Sequence, residues 1–342
     1  MKTYRVFQLA LLTVLTVASI APGLGAQGTD AFVVRKHPGR MDILFGESPV
    51  ATYVWEDPKI PRPYFCQVTT LQGIPVSRTS PPDPIADRGN EDHPEFHPGI
   101  WLAFGDLNGM DFWRNRARVR HDGFAMEPEA NSKRLQFAVR NVYETLEEPA
   151  TAIAEEHCTY SFQTVRNGVL LVTQTEIKRM DGALIFGDQE EMGFGVRMAT
   201  KLRVKGGGGH LVNSRFGRSE AGIWGKTADW CAGDGRVGDR VAGMMVMPGP
   251  ENFRPSWFHV RDYGLILANP FGKKAMTGPD DPMVFPDHTE RSKGTPMRLS
   301  FGVYIFDTHW TRTGDYQEMY IEFLKCLKSL PEPKAAPKNT GN

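Results

Sequence analysis

The sequence predicts an all-β fold, a large antiparallel β-sandwich with one C-terminal helix. First, 35 glycines and 25 prolines in 342 residues interrupt regular structure too often for a helical bundle and are typical of many short strands joined by turns. Second, short β-branched and aromatic runs bounded by Gly, Pro or Asp recur along the chain. Third, no Gly/Ser-rich or Pro-rich linker divides the middle of the chain, so we expect residues 27–330 to form a single sandwich domain.

The clearest strand pattern is a hairpin, in which Arg166-Asn167-Gly168 joins the predicted strands 159–165 and 169–173. Asn-Gly accepts the positive φ angles of a tight reversal. The other predicted strands share a β-branched or aromatic composition. They lie at 32–34, 43–45, 50–55, 64–70, 135–143, 194–204, 241–247, 263–268 and 297–306.

One helix is predicted, over residues 313–330. Apolar side chains such as Tyr316, Tyr320 and Phe323 recur there at three- and four-residue spacing, which is the pattern of a helix with one buried face. A Pro-Glu-Pro sequence follows it, and we expect residues 331–342 to form a disordered polar tail.

The first 26 residues have the pattern of a signal peptide. Lys2 and Arg5 precede an apolar run over residues 6–20, which is shorter than the roughly 20 residues that span a bilayer. Small residues follow as far as Ala26, so we predict cleavage there and export to the periplasm or the extracellular space. A retained N-terminal anchor is the alternative. We expect no membrane span after cleavage, because no later stretch is apolar enough.

Charge and cysteine content exclude some classes of function. Forty basic and forty acidic side chains give a formal net charge of zero, so we expect no nucleic-acid partner. Export would allow disulfides, and four cysteines permit three pairings, but buried free thiols remain the alternative. Their spacing does not fit a structural zinc site. The four cysteines are Cys66, Cys158, Cys231 and Cys326.

Residues 92–113 contain many side chains that can transfer protons or bind a metal ion. Pro94 and Pro98 exclude a helix, and in an extended chain His93, Glu95 and His97 share one face. Such a cluster can act as acid and base on a polyhydroxylated substrate or hold a divalent metal through the two histidines. The alternative is that the histidines brace a loop. The neighbouring candidate substrate-binding residues are Asp106, Asn108 and Trp113.

Three further segments combine charged groups with tryptophan. In 187–197, carboxylates precede a strand that carries an arginine, and a carboxylate screened from water near a histidine has its pKa moved towards the range for proton transfer. Segments 213–231 and 257–272 place Trp beside Arg, Asp and His, the mixture that a sugar site requires. The alternatives are a solvated turn and plain core packing. The candidates are Glu191, Arg197, Trp224, His259, Arg261 and Asn269.

Taken together, a series of motifs resembles a bacterial exported family of unknown function that carries the label "methane oxygenase PmoA". The resemblance covers essentially the whole mature chain, and it implies a β-sandwich of the supersandwich style of sugar mutarotases but no secure activity. Glu191 and His97 match residues typical of the family, whereas Pro98 stands where many members have Arg. The motifs are Arg62-Pro63-Tyr64-Phe65, Pro81-Pro82-Asp83, 93–101, 105–113, 193–197, Trp224-Gly225-Lys226, 259–264 and 269–272.

The oxygenase activity in that label is not expected. Particulate methane oxidation takes place in the membrane, and this chain lacks a span after its signal peptide. A copper site built on an N-terminal histidine is also excluded, because cleavage after Ala26 would leave Gln27 first.

We therefore predict an exported carbohydrate-active protein, with a small-molecule sugar or oxidised sugar as its partner. In the enzyme hypothesis, an epimerase, lyase or hydrolase, His93 or His97 is the acid and Glu191 is the base. No cofactor is required. The alternative is a glycan-binding or structural sandwich without catalysis. In either case we expect His93, His97, Glu191, Arg197 and His259 to line one concave pocket, since loops on a rigid scaffold converge in this way.

Overall fold

The structure is a computed structural model that describes residues 30–283, 285–309 and 315–330. The predicted signal peptide and the predicted tail lie outside these residues. The chain forms two large antiparallel sheets, which confirms the predicted all-β sandwich class. No helix among the described residues has the length and apolar character needed to cross a bilayer.

The larger sheet has nine strands in the order β1-β2-β3-β4-β5-β11-β17-β16-β13, and all neighbours pair antiparallel. Its first five strands follow the chain, and the other four enter from its second half. Its strands are β1 Phe32–His37, β2 Arg40–Phe45, β3 Ser48–Val54, β4 Tyr64–Cys66, β5 Ile100–Phe104, β11 Met192–Arg197, β13 Lys226–Thr227, β16 Trp257–Arg261 and β17 Leu265–Asn269.

The second sheet has eight strands in the order β12-β14-β15-β19-β9-β8-β7-β6. The predicted Asn-Gly hairpin joins β8 to β9, and Val165 pairs with Gly168. A separate two-stranded sheet pairs β10 Leu184–Phe186 with β18 Thr289–Arg291. The strands of the second sheet are β6 Arg118–Ala130, β7 Arg134–Glu144, β8 Ala152–Val165, β9 Gly168–Lys178, β12 Gly209–Asn213, β14 Cys231–Val237, β15 Arg240–Pro248 and β19 Met297–His309.

The two large sheets pack face to face around one apolar core. The rings of Phe194 on β11 and Phe301 on β19 are stacked with centroids 4.9 Å apart. Tyr53 on β3 meets Phe137 on β7 at 5.4 Å. Because successive strand residues point to opposite faces, every second residue of these strands enters this core and the others face outward.

The predicted C-terminal helix is present as α4, Tyr316–Ser329; residues 313 and 314 lie outside the described residues. Met319, Phe323 and Cys326 of α4 cover the outer face of the eight-stranded sheet. Gly302 makes the close approach possible, because a Cβ there would lie 2.6 Å from the Phe323 ring. The other helices are short segments: a 3-10 turn Thr200–Leu202, α1 Val204–Gly207, α2 Ser219–Ile223 and α3 Lys273–Thr277.

Two of the predicted strands are much shorter in the structure than predicted. The run predicted as 64–70 is a strand only at Tyr64–Cys66, and the run predicted as 194–204 ends at Arg197 and continues into the 3-10 turn. The described residues also contain eight strands that none of the predicted ranges covers: β5, β6, β10, β12, β13, β14, β16 and β18. β6, β12 and β14 each contain one β-branched residue, so the propensity signal for a strand is weak there.

Candidate functional site

The candidate site lies on the outer face of the nine-stranded sheet. On β11, Phe194 and Val196 enter the core between the sheets, so Gly195 and Arg197 face outward. Trp101 of β5 lies across this face. A Cβ on Gly195 would lie 2.9 Å from the Trp101 ring, so a glycine is needed there for the indole to rest on the sheet.

His97 is enclosed by aromatic rings on this face. Its imidazole stacks on Trp101 with ring centroids 5.3 Å apart and on Tyr263 at 6.4 Å. Trp113 meets it edge to face at 5.7 Å. The side chain is only 1% exposed, so His97 belongs to a packed cluster and does not open to solvent.

Arg197 connects His97 to the loop above it. One guanidinium nitrogen lies 3.1 Å from Nδ1 of His97, and another donates to Asn90 at 2.5 Å and to Asp92 at 2.6 Å. The guanidinium also lies 4.3 Å from the centre of the Tyr263 ring. Since a guanidinium only donates, Nδ1 of His97 is the acceptor and its proton sits on Nε2. Burial and the charge of Arg197 lower the pKa of His97 well below its usual value, so the ring stays neutral.

Two more buried arginines fix the loop that carries the histidines. Arg78 is 1% exposed and donates to the backbone carbonyls of His93 and His97 at 3.2 and 3.0 Å. Arg62 donates to the carbonyls of Phe96 and Trp113 at 2.8 and 3.1 Å. These bonds satisfy carbonyls in a segment with no regular secondary structure, so the loop is held rigidly against the sheet.

His93 is the histidine that reaches solvent. Its side chain is half exposed, and its backbone is left-handed, with φ of 50°. Its ring lies 5.2 Å from the ring of His97 and 6.4 Å from that of Tyr263. Nε2 lies 3.8 Å from the carboxylate of Asp92. His93 can therefore exchange a proton with a molecule bound at the surface.

Glu191 lies at the edge of the same cluster, at the entry to β11. Its side chain is 22% exposed and forms an ion pair with Arg114, which Asp111 holds at 3.1 Å. Burial raises the pKa of Glu191; the charge of Arg114 opposes this shift and that of Glu190 adds to it. His93 and Tyr263 both lie within electrostatic range of this carboxylate. A partly buried carboxylate with a raised pKa has the properties of a general base.

A second set of charges continues along the face from Glu190. One Glu190 oxygen lies 3.5 Å from Nδ1 of His259 and 3.4 Å from Arg261. Arg261 also pairs with Glu220 at 3.1 Å and lies 5.7 Å from the centre of the Trp224 ring. His259 is 2% exposed, and burial followed by the charge of Arg261 lowers its pKa to about 3. His259 is thus a neutral group beneath Glu190.

Three predicted substrate-binding residues are hydrogen-bonded within the protein, and a fourth is buried. Asn108 donates to the carbonyl of Ala183 at 3.0 Å and accepts from the amide of Ile185 at 3.1 Å. Asn269 donates to the carbonyl of Gln189 at 2.7 Å. Asp106 accepts from the amide of Gly109 at 2.9 Å, and Trp113 is fully buried. Their contact with a substrate stays a prediction, and these bonds favour a role in bracing the loops.

A family model matches residues 40–318 of the chain, and its description is a family of unknown function, DUF6807. The chain belongs to the DUF6807 family. The predicted membership of a family of unknown function is thereby confirmed. No curated protein sequence matches the chain.

This DUF6807 chain also resembles several solved structures, at low identity and low TM-score. A Glycoside Hydrolase Family 97 enzyme from Pseudoalteromonas sp. strain K8 is 6% identical, with a TM-score of 0.32, over 81% of this chain and 34% of its own. A galactose mutarotase related enzyme from Lactobacillus acidophilus is 10% identical, with a TM-score of 0.30, over 80% and 97%. A galactose mutarotase-like protein from Lactobacillus casei ATCC 334 is 10% identical, with a TM-score of 0.32, over 80% and 99%. The chain thus spans about a third of the length of the glycoside hydrolase.

In this DUF6807 protein, the five residues expected in one pocket do come to one face of the sheet. His93, His97 and Arg197 are in direct contact or adjacent, and Glu191 lies at the other end of β11, within electrostatic range of His93. His259 lies on the same face beneath Glu190. His97, Arg197 and His259 are buried, however, so they support the surface and do not line an open pocket.

A metal held by His93 and His97 does not fit this geometry. Nδ1 of His97 faces the guanidinium of Arg197, and a cation would be repelled there. Among residues 30–283, 285–309 and 315–330, no group of three or more His, Cys, Asp or Glu side chains is placed to hold a metal ion.

The sequence patterns missed two residues that the DUF6807 site uses. Arg114 pairs with Glu191 across 77 positions, and Tyr263 contacts both histidines and Arg197. Tyr263 lies in segment 257–272, which the sequence already indicated as a candidate site because it combines charged side chains with aromatic rings. Nothing in the sequence connects Arg114 with Glu191, because their contact depends on how β5 pairs with β11.

Proposed function

We propose that this protein is an exported carbohydrate-active enzyme that performs acid/base chemistry on a sugar or an oxidised sugar. The observation that carries the proposal is the position of Glu191. Its carboxylate is mostly buried, has a raised pKa and lies within electrostatic range of His93, the exposed histidine of the aromatic cluster.

In this proposal Glu191 is the base and His93 is the acid. Glu191 removes a proton from the substrate or from an attacking water, and His93 delivers one to the departing or newly formed group. His97 is too buried for that exchange, so we assign it a positioning role: it accepts from Arg197, which in turn holds Asp92 beside His93. Arg114 keeps the carboxylate of Glu191 in place.

Sugar recognition is assigned to the more exposed groups around these two residues. Tyr263 and Trp224 are partly exposed rings that can stack on the C–H faces of a sugar, and Arg261 can bind hydroxyl or carboxylate oxygens. Export is part of the proposal and depends on the N-terminal sequence alone. The oxygenase label of the similar family is not adopted, because the His93/His97 pair does not fit a metal cation.

A sugar-panel turnover assay on the mature protein tests the proposal. The panel contains neutral, keto and uronic sugars as monosaccharides and as glycosides, each assayed with and without a chelator. We expect turnover of at least one member, unaffected by the chelator. Binding without turnover of any member would instead support the glycan-binding alternative, and loss of turnover on chelation would contradict the metal-free mechanism.

A further inference from the structure

A separate cavity of about 600 Å³ opens at one edge of the sandwich. It lies between the turn that follows β12 and the edge strands β13 and β16 of the nine-stranded sheet. Its volume is within the range of small-molecule sites. The side chains that characterise it are Arg215, Phe216, Arg218, Lys226, Thr227 and Trp257.

The cavity is positively charged. Arg215, Arg218 and Lys226 are exposed, and none of the ten lining residues is acidic. Within the part of the chain that the structure describes, none of the three cations forms a salt bridge; Lys226 only donates to the carbonyl of Gly222, at 2.8 Å. The neighbouring acid Glu220 is already paired with Arg261. Three cations without a counter-charge around a concave surface favour an anionic ligand.

An aromatic ring is held over the same cavity. Phe216 is 89% exposed, and its φ of 61° is a left-handed conformation that a bulky side chain rarely adopts. Asn213 fixes this turn, since its side chain accepts from the amides of Arg215 and Gly217 at 3.0 and 2.8 Å. Residues held in rare backbone conformations cluster at binding sites, and here that conformation belongs to a ring that lines the cavity. Trp257 supplies a second, half-buried ring.

We propose that this cavity is a second binding site, and that it takes an acidic saccharide, a sugar that carries a carboxylate or a sulfate ester. Arg215 and Arg218 bind the anionic group through paired N–H donors, and Lys226 adds a third charge. Phe216 and Trp257 stack on the apolar faces of the sugar ring. This site does not require that Glu191 is catalytic. Trp257 and His259 lie two residues apart on β16, so the cavity opens on the same face as the proposed active site.

Titration calorimetry on the mature protein tests this site with four probes. These are trigalacturonate, a sulfated trisaccharide, the neutral maltotriose and inorganic sulfate. We expect one or both acidic trisaccharides to bind at least tenfold more tightly than maltotriose and than inorganic sulfate, with an affinity that falls as salt is added. The acidic trisaccharide that binds identifies the anionic group.

Variants connect the binding to the cavity. The double variant Arg215→Gln/Arg218→Gln is expected to weaken binding at least tenfold, and Phe216→Ala about fivefold. Lys133→Gln, which removes one exposed charge from a distant loop, is the control and is expected to bind as the unmodified protein does. The double arginine variant is also expected to keep the turnover of the unmodified protein, which separates this site from the proposed function.

Three results would overturn the inference. They are no binding of either acidic trisaccharide, binding that survives the double arginine substitution, and inorganic sulfate that binds as tightly as the saccharides. The last result would show an adventitious anion only.

Discussion

At the residue scale, burial separates the two histidines of segment 93–97. Both were candidate acids, and their rings lie 5.2 Å apart. His93 is half exposed, whereas His97 is enclosed between Trp101 and Tyr263 and accepts from Arg197. The same side chain therefore has an accessible proton at one position and a fixed, neutral structural role at the other.

Replacement of His97 is expected to affect stability first. His97→Ala leaves a cavity beside Trp101 and removes the acceptor of a buried arginine, so the free energy of unfolding should fall by about 3 kcal/mol. Chemical denaturation measures this. The control is His93→Asn, because Asn tolerates the left-handed backbone; it should change stability by about 0.5 kcal/mol or less but reduce turnover about 10²-fold. A fully stable His97→Ala variant would contradict the positioning role.

The pH dependence of turnover should report on Glu191. A base works only when ionised, so kcat/KM should fall on the acid side around a pKa above that of an ordinary glutamate. Arg114 favours the ionised form, so Arg114→Gln should move this acid limb to higher pH. The control Arg298→Gln breaks an exposed ion pair with Glu176 and should leave the profile unchanged. An acid limb that stays in place, or moves to lower pH, would exclude Glu191 as the titrating base.

At the scale of elements, the site depends on how closely Trp101 of β5 packs on β11. Gly195 has no side chain to keep the two apart. Gly195→Ala should push the indole and the His97 ring outward and lower the free energy of unfolding by about 2 kcal/mol. Gly182→Ala is the matched control, because a Cβ there meets only a flexible arginine side chain at 3.5 Å; about 0.5 kcal/mol is expected. Equal stability of the two variants would contradict the packing described here.

A comparison of the predicted and observed strands and helices shows which of them the sequence could predict. The hairpin around Asn167-Gly168 and the helix containing Phe323 depend on local signals, namely turn chemistry and helical spacing, and both are confirmed. β12 and β14 were missed because each contains only one β-branched residue. Their formation depends on pairing with neighbouring strands, which local propensity does not show.

For the site, sequence patterns identified the segments that contribute to it but did not show how deeply each side chain is buried. Asn269 and Asn108 looked like ligands for sugar hydroxyls, yet their amides are bonded to backbone groups. The ion pair between Glu191 and Arg114 could not be predicted either, because Arg114 lies in a loop that only the pairing of the sheet strands brings close to Glu191. Composition identifies which groups are present, whereas tertiary packing decides which of them meet solvent.

At the scale of the whole molecule, two large sheets and their core hold the chain together without disulfides. All four cysteines are free and buried, which answers the open question of their pairing. Burial raises the pKa of Cys66 to about 12 and that of Cys326 to about 11, so these thiols are unreactive in the folded state.

The melting temperature should therefore be the same with and without a reductant. An alkylating reagent should label no cysteine of the native protein and all four in denaturant without prior reduction. Intact-protein mass spectrometry counts the labels. Fewer than four labels in denaturant would reveal a disulfide.

The most direct test of the proposed chemistry is the effect of Glu191→Gln on a sugar that the unmodified protein converts. Gln keeps the shape of the side chain and removes the titratable group. We expect kcat to fall at least about 10²-fold, with substrate affinity and melting temperature nearly unchanged. Glu95→Gln, an exposed carboxylate in the nearby loop, should retain full turnover. If Glu191→Gln also retained full turnover, Glu191 would not be the base, and the acid/base site proposed here would be contradicted.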